Sequence, residues 1–346
     1  MTAADRSPTR RAELSMDTPQ PIGIVGLGAH VPPDVVDNAR IAAWSGADPA
    51  WIEERTGITE RRYAAPGTRT SRLAAEAAAQ ALRESGDAAA DLGVLIVATS
   101  TPDQPQPSTA VLTQQELGLS DVPSFDVNAV CSGFLYAFAV AESMLGHRMP
   151  GRYGLVVGAD LYSSLMDRTD RRTVSLFGDG AGAAVLGPVP HGYGLRGLEL
   201  QAHGEYRDYV EVVAGGTRKP SDAAAREAGE HFFRMQGRPV RDYALRTLPK
   251  VIAAALDQAG LGLHDVGRFI LHQANTRLVE ACVAELGVDP ARVPLTAPVF
   301  GNTAAASIPL TLATEHHRRP FARGEHLVLA GVGGGMTAGA AVLTWY

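Results

Sequence analysis

Asp126-Val127-Asn128-Ala129-Val130-Cys131-Ser132-Gly133-Phe134 places a cysteine where a short apolar strand, Phe125 to Val127, turns into a helix-like run from Ser132 to Leu145. Phe134, Leu135, Phe138 and Met144 are among the apolar positions of that run. A thiol at such a helix start faces unpaired N–H groups and the positive end of the helix dipole, which favour thiolate over thiol. The competing reading is a buried structural cysteine. Later stretches of the chain decide between the two.

Upstream, Val94 to Ala98 is wholly apolar, as a strand buried on both faces of a parallel sheet must be. A Pro-rich loop, Thr101 to Pro107, then leads into a helix from about Ser108 to Leu117. Thr70 to Ser85 carries Leu73, Ala77 and Leu82 at helical spacing and stops at Gly86. Asn38 to Trp44 and Pro49 to Arg55 read as short helices, the second closed by Gly57. Ile22 to Leu27 is a strand. Its glycines, Gly23, Gly26 and Gly28, invite a dinucleotide-binding reading, but the G-x-G-x-x-G spacing fails at Val31. Residues 1–20 are polar, lack the apolar core of a secretory signal and read as a disordered leader, with Met16 as a second candidate start. Downstream, Leu155 to Val157 is another buried strand, and Phe177-Gly178-Asp179-Gly180-Ala181-Gly182 leads into Ala183 to Leu186.

The second half of the chain repeats the first. Asp91-Leu92-Gly93-Val94-Leu95-Ile96 is echoed by Asp265-Val266-Gly267-Arg268-Phe269-Ile270, and Leu117-Gly118-Leu119 by Leu286-Gly287-Val288. Ala181-Gly182-Ala183-Ala184-Val185-Leu186 recurs as Ala338-Gly339-Ala340-Ala341-Val342-Leu343. The order is kept and the offset drifts, as loops of unequal length produce. The chain is therefore read as a duplicated α/β unit with halves at 21–190 and 191–346. Ligands of paired sheets sit beyond the carboxyl ends of the strands. Cys131 follows a strand in the first half. In the second, His272 ends Phe269-Ile270-Leu271, within His272-Gln273-Ala274-Asn275, and Gly301-Asn302-Thr303 follows a Pro-rich segment read as a strand. Gly333-Gly334-Gly335 adds backbone N–H groups free of side-chain obstruction.

Composition narrows the class. With 346 residues, 37 Gly, 22 Pro and a net charge of −6, the chain is compact and has no global basic field for nucleic acid. No apolar run is long enough to cross a bilayer. Two cysteines cannot make a disulfide framework, which fits a reducing cytoplasm. His316-His317 adjoins Arg318-Arg319 without a Cys or Asp cluster and reads as a solvated helix end, so no metal site is expected; Cys282 is expected to pack within its helix.

A thiolate attacks thioesters well. An imidazole and a carboxamide without a carboxylate suit donation of hydrogen bonds to an enolate oxygen, such as a decarboxylating malonyl thioester makes. Together, Asp126 to Phe134, His272 to Asn275, and Gly301-Asn302-Thr303-Ala304-Ala305-Ala306-Ser307-Ile308-Pro309 resemble β-ketoacyl-acyl carrier protein synthase III of the thiolase superfamily. Trp51-Ile52 through Arg55-Thr56-Gly57-Ile58, Phe177 to Gly182 and Gly333 to Gly335 add to the resemblance, which runs over about residues 21–346. It implies a thiolase-like fold of duplicated half-domains in a five-layered αβαβα sandwich, a homodimer, priming by acyl-CoA, and condensation with malonyl-acyl carrier protein. CoA and phosphopantetheine thioesters are then substrates, and no cofactor is needed. By the same resemblance Cys131 accepts the acyl group, His272 and Asn302 bind the malonyl thioester carbonyl, and the N–H groups of Cys131 and Gly334 form the oxyanion hole. Trp51 and Arg171 match the positions that sandwich the CoA adenine, Arg55 matches a CoA phosphate contact, and Asn275 lies beside the pantetheine channel.

The sequence departs from the family pattern at three places. Gln106 stands where many members carry a large apolar residue that reaches into the partner's acyl pocket. Val332 replaces an aromatic residue near the active site. The helix after His272 reads Thr276-Arg277-Leu278-Val279-Glu280-Ala281-Cys282-Val283-Ala284-Glu285, with Arg277 retained but Ala284 and Glu285 where lysines often dock the acidic carrier. Arg238 and Arg241 are candidates to restore that charge; otherwise the carrier is unusual or malonyl-CoA replaces it. The leading expectation is decarboxylative condensation. The alternative is acyl transfer from a thioester to a hydroxyl or amine of a natural product, which the retained Asn302 opposes. A catalytically silent scaffold is a third reading, opposed by the intact nucleophile and donors.

Overall fold

The computed structural model describes residues 20–146 and 151–346; all of the expected leader except Gln20 lies outside them. Five strands form the first sheet: β1 (Ile22–His30), β2 (Leu92–Ala98), β3 (Ser124–Val127), β4 (Tyr153–Asp160) and β5 (Gly180–Pro188), in the spatial order β1-β5-β4-β2-β3. The second sheet has β6 (Gly194–Ala202), β7 (Val266–Leu271), β8 (His326–Gly333) and β9 (Thr337–Thr344), in the order β7-β8-β9-β6. Both sheets share one scheme. β2 runs parallel to β4 as β7 does to β8, and the next two strands are antiparallel in each.

Six helices complete the layers: α1 (Thr70–Glu84), α2 (Thr109–Glu116), α3 (Gly133–Leu145), α4 (Gly237–Ala259), α5 (Thr276–Leu286) and α6 (Ser307–Arg318). Side chains alternate across a strand, and here both faces are covered. Ile96 and Val156 of the first sheet and Leu327 and Leu329 of the second share one core with Phe134 and Phe138 of α3 and Ile308 and Leu312 of α6. The neighbouring residues face outward, Leu95 and Val97 under Leu73 and Ala77 of α1, Val328 and Ala330 under Ile252 and Ala255 of α4 and Val279 of α5. The result is the five-layered αβαβα arrangement. It also explains why these strands read as continuous apolar runs rather than alternating ones.

The repeats occupy corresponding places. Gly182 of β5 pairs with Gly158 of β4, and its echo Gly339 of β9 pairs with Gly331 of β8. α3 and α6 are each entered through a single 3₁₀ turn, Val130–Ser132 and Ala304–Ala306. Each turn starts with a non-glycine residue in the left-handed region, Val130 at φ 50° and Ala304 at φ 49°.

Two local readings need comment. The segment before Asn302 is a short helix, Ala297–Phe300, not a strand; Pro298 sits in its first turn, where its missing N–H costs no hydrogen bond. The glycines of β1 serve packing and bind no nucleotide loop. A Cβ on Gly28 would lie 2.1 Å from the Ala77 carbonyl oxygen, and one on Gly26 would lie 2.4 Å from that of Ala81, so α1 rests directly on bare backbone.

Candidate active site

Cys131 sits in the 3₁₀ turn at the start of α3, and its side chain is buried. The turn is tied to the second half by Thr337, whose hydroxyl lies 2.7 Å from Ser132 Oγ and donates to the Ala129 carbonyl at 3.1 Å. The expected thiolate is not what this environment favours. Burial pushes the Cys131 thiol far up, the Asp160 carboxylate adds to the rise, and the backbone N–H lowers it by less than either. The helix start acts in the direction read from the sequence, but desolvation outweighs it. The Cys131 side chain is a neutral thiol at neutral pH.

His272 and Asn302 line the same cavity as Cys131, together with Phe177, Phe233 and Gly334. His272 follows the last residue of β7, and its N–H is held by the Ala330 carbonyl of β8 at 2.8 Å. Its Nδ1 lies 2.5 Å from Ser307 Oγ, which also accepts the Gln273 N–H at 3.2 Å. With the Ser307 hydroxyl proton directed at Nδ1, the ring proton sits on Nε2 and Nε2–H is the ring's donor for the cavity. Burial lowers the pKa of His272 to about 4, so the ring is neutral at physiological pH. Asn302 is held by its own backbone, its N–H on the Leu176 carbonyl at 2.8 Å and its carbonyl accepting from Gly178 N–H at 3.0 Å. Its side-chain oxygen accepts the Ala304 N–H at 2.9 Å. With that oxygen occupied, the amide presents its NH₂ as the free function.

Gly334 lies in the turn between β8 and β9, beside the Val130–Cys131 turn. A Cβ on it would meet Val210 at 3.1 Å and Val130 at 3.4 Å. Val332 faces the cavity. Two further pockets adjoin the cavity. Met235, Val240 and Ala274 line both it and a mouth formed by Arg55, Arg241, Asn275 and Arg277. Val210, Phe233 and Gly334 line both it and a groove formed by Asn128, Val130, Tyr162 and Val212.

The remaining residues singled out from the sequence fall as follows. Asn275 caps α5 by accepting the Leu278 N–H at 2.9 Å. Arg277 is already engaged, with Glu280 at 3.0 Å and the Glu54 carbonyl at 3.1 Å. Ala284 and Glu285 are exposed on α5, and Arg238 is exposed at the start of α4. The Arg171 guanidinium lies 5.1 Å from the Trp51 ring centre. A planar base between them needs about 7 Å, two contacts of about 3.5 Å each, so the two side chains are stacked on one another and must part to admit one. Gln106 is exposed and does not reach the cavity of its own chain. Cys282 is buried in α5. His316, read as solvated, instead packs against Phe321 and Trp345. Sequence reading missed Ser307, Thr337 and Asp160. The one local signal for Asp160 is a lone carboxylate closing a fully apolar strand.

Residues 125–204 match the family model described as 3-oxoacyl-[acyl-carrier-protein (ACP)] synthase III, and residues 256–345 match its C-terminal counterpart. The chain is 44% identical to the acetoacetyl CoA synthase NphT7 of Streptomyces sp. strain CL190, over 93% of this chain and 98% of that protein. The structure resembles that of β-ketoacyl-[acyl carrier protein] synthase III from Thermus thermophilus, with a TM-score of 0.87, 38% identity, and 94% and 99% of the two chains covered. It also resembles the priming β-ketosynthase of the R1128 polyketide pathway, with a TM-score of 0.86 and 29% identity over 94% of each chain. A buried thiol at a helix start, facing a neutral imidazole and an outward-turned carboxamide across one cavity of a duplicated αβαβα fold, belongs with these relatives: the chain is a member of the β-ketoacyl-[acyl-carrier-protein] synthase III family.

Proposed function

We propose that the chain loads an acyl group from acyl-CoA onto Cys131 and condenses it with a malonyl thioester, giving a β-ketoacyl thioester that starts a fatty acid or polyketide chain. Priming breaks the acyl–CoA C–S bond and forms one to Cys131 Sγ, with the thiol proton leaving on CoA. In the second step the malonyl C–C bond breaks, CO₂ departs, and the electron pair becomes an enolate whose oxygen accepts from His272 Nε2–H and the Asn302 amide. The enolate carbon attacks the acyl carbonyl, whose oxyanion takes the N–H groups of Cys131 and Gly334. Cys131 then leaves as thiolate and takes up one proton. CoA and phosphopantetheine thioesters are the substrates, and the scheme uses no cofactor.

One observation carries this reading: the Ala304 N–H occupies the acceptor of Asn302, so the group turned to the cavity is a donor. Simple acyl transfer makes no enolate and has no use for it. At the mouth, Arg55, Arg241 and Asn275 suit the phosphates and amides of CoA, and Trp51 with Arg171 suits its adenine. Arg277 is neutralised by Glu280, so the face of α5 offers an acidic carrier little net charge. Malonyl-CoA is accordingly the preferred donor in this reading, in keeping with a CoA thioester in the name of the acetoacetyl CoA synthase NphT7. The half-buried edge strand β3 and the exposed Gln106 suit a homodimer that closes the groove beyond Cys131. Two free, buried thiols suit a reducing cytoplasm.

The test is CO₂ release from malonyl-CoA and from malonyl-carrier protein with a panel of acyl-CoAs, alongside Asn302→Ala. The expected result is release that depends on acyl-CoA and falls by about 10²–10³ in the variant, while Cys131 is still acylated. Acylation without CO₂ from either donor would overturn condensation and leave acyl transfer.

A further inference from the structure

Asp160 ends β4 and is fully buried beneath the site. Its Oδ1 accepts from the N–H groups of Ser100 and Thr101, at 2.8 and 3.0 Å, and from the hydroxyls of Thr99, Ser100 and Thr101. Its Oδ2 reaches the other half of the molecule and accepts the Ala305 N–H at 2.9 Å. Burial raises the Asp160 pKa, and these hydrogen bonds, three of them from backbone groups that cannot reverse, pull it back toward the anion. Ala305 lies in the turn that begins with the Asn302–Ala304 hydrogen bond.

The duplication gives this contact its meaning. Asn302-Thr303-Ala304-Ala305-Ala306 occupies in the second half the place of Asn128-Ala129-Val130-Cys131-Ser132 in the first. Asn128 Oδ1 accepts the Val130 N–H at 3.2 Å just as Asn302 Oδ1 accepts that of Ala304. Ala305 is thus the counterpart of Cys131. The strand pairs that close the two ends also correspond, Asp160 facing Gly180 and Gly333 facing Thr337. The side chain has changed strands between the halves. The turn of Asn302 is gripped by a carboxylate, and the turn of Cys131 by the neutral hydroxyl of Thr337. Where a second carboxylate would sit there is Gly333, and even a Cβ there would lie 2.7 Å from the Ala129 oxygen and 2.8 Å from the Ser132 nitrogen.

We propose that Asp160 is a positioning residue for decarboxylation: it fixes the Asn302 turn across the interface between the halves, while glycine at its counterpart leaves the Cys131 turn without a carboxylate hydrogen-bonded to the N–H that must receive the oxyanion. This rests on the condensing reading above, and the two are separable by experiment. In Asp160→Asn, acylation of Cys131 by acyl-CoA, followed by mass spectrometry, is expected to stay within about threefold of wild type. CO₂ release in the following single turnover is expected to fall by about 10–100-fold, the scale of a misplaced donor. The pH profile for alkylation of Cys131 by iodoacetamide moves to lower pH as the neighbouring charge is removed. An equal loss in both half-reactions, no loss in either, or an unmoved profile would overturn the proposal. If Asp160→Asn does not fold, Thr99→Val removes a single donor to the carboxylate: lower CO₂ release with unchanged acylation supports the role, and parallel changes overturn it. Absence of CO₂ from wild type would fail the condensing reading instead, and the alkylation profile would still report on Asp160.

Discussion

His272 is a base that the fold holds unprotonated. Burial sets its pKa at about 4, against 6.5 for an imidazole in the unfolded chain. Between those values the unfolded state binds a proton that the folded state does not. The contribution of His272 to stability is therefore complete above about pH 6.5 and is lost as the pH falls through 4, at up to about 1.4 kcal/mol per pH unit. Urea denaturation between pH 4 and 7 should show the wild-type midpoint falling more steeply than that of His272→Gln; equal slopes would mean that the buried ring is not the proton acceptor. The thiol shifts in the opposite sense: alkylation of Cys131 is expected to be slow at neutral pH and to climb through the alkaline range. At this scale Cys131, His272 and Asn302 are legible in sequence because each carries its own flanking motif. Asp160 is not. Its role comes from donors lying 59 to 145 residues away in the chain, and nothing beside it in the sequence announces them. The protonation state of Cys131 is illegible for a related reason: a helix start is a local feature, whereas desolvation depends on the whole cavity wall.

Strands and helices were read from the pattern wherever packing is two-sided and regular. β2 and β7 announce themselves by unbroken apolar runs, and α1 by its spacing, because each is enclosed by the layer next to it. The segment before Asn302 reads as strand because the first half has a strand at that register. In the second half a proline in the first turn and a lone bridge from Asn302 to Phe177 take its place. The contact of β1 with α1 gives the sharpest test of packing. Gly28→Ala is expected to destabilise the protein by about 1–3 kcal/mol or more, since the new methyl would lie 2.1 Å from the Ala77 oxygen. A midpoint of denaturation equal to that of wild type would show that α1 can lift from the sheet without loss.

The whole molecule carries a net charge of −6, yet three arginines, Arg55, Arg241 and Arg277, line the mouth of its channel. Only part of that charge is free, since Arg277 is paired. Arg241→Glu is expected to raise KM for a CoA thioester about tenfold at low ionic strength, with little effect on kcat, and the difference should shrink in 0.5 M salt, where the Debye length falls well below 10 Å. A salt-independent change would mean that Arg241 acts by shape. The layered architecture was legible from the internal repeat, because duplicated halves leave matching runs. What closes the groove beyond Cys131 was not, because it depends on surfaces that no single-chain pattern encodes. Val210, Phe233 and Gly334 are a wall shared by the Cys131 cavity and the outer groove. A thin shared wall is the cheapest part of a cavity to remodel, so the room for an acyl chain depends on it and on whatever covers the groove. Substitutions along Val210–Val212 or on a covering surface would therefore retune primer length while leaving Cys131, His272 and Asn302 untouched.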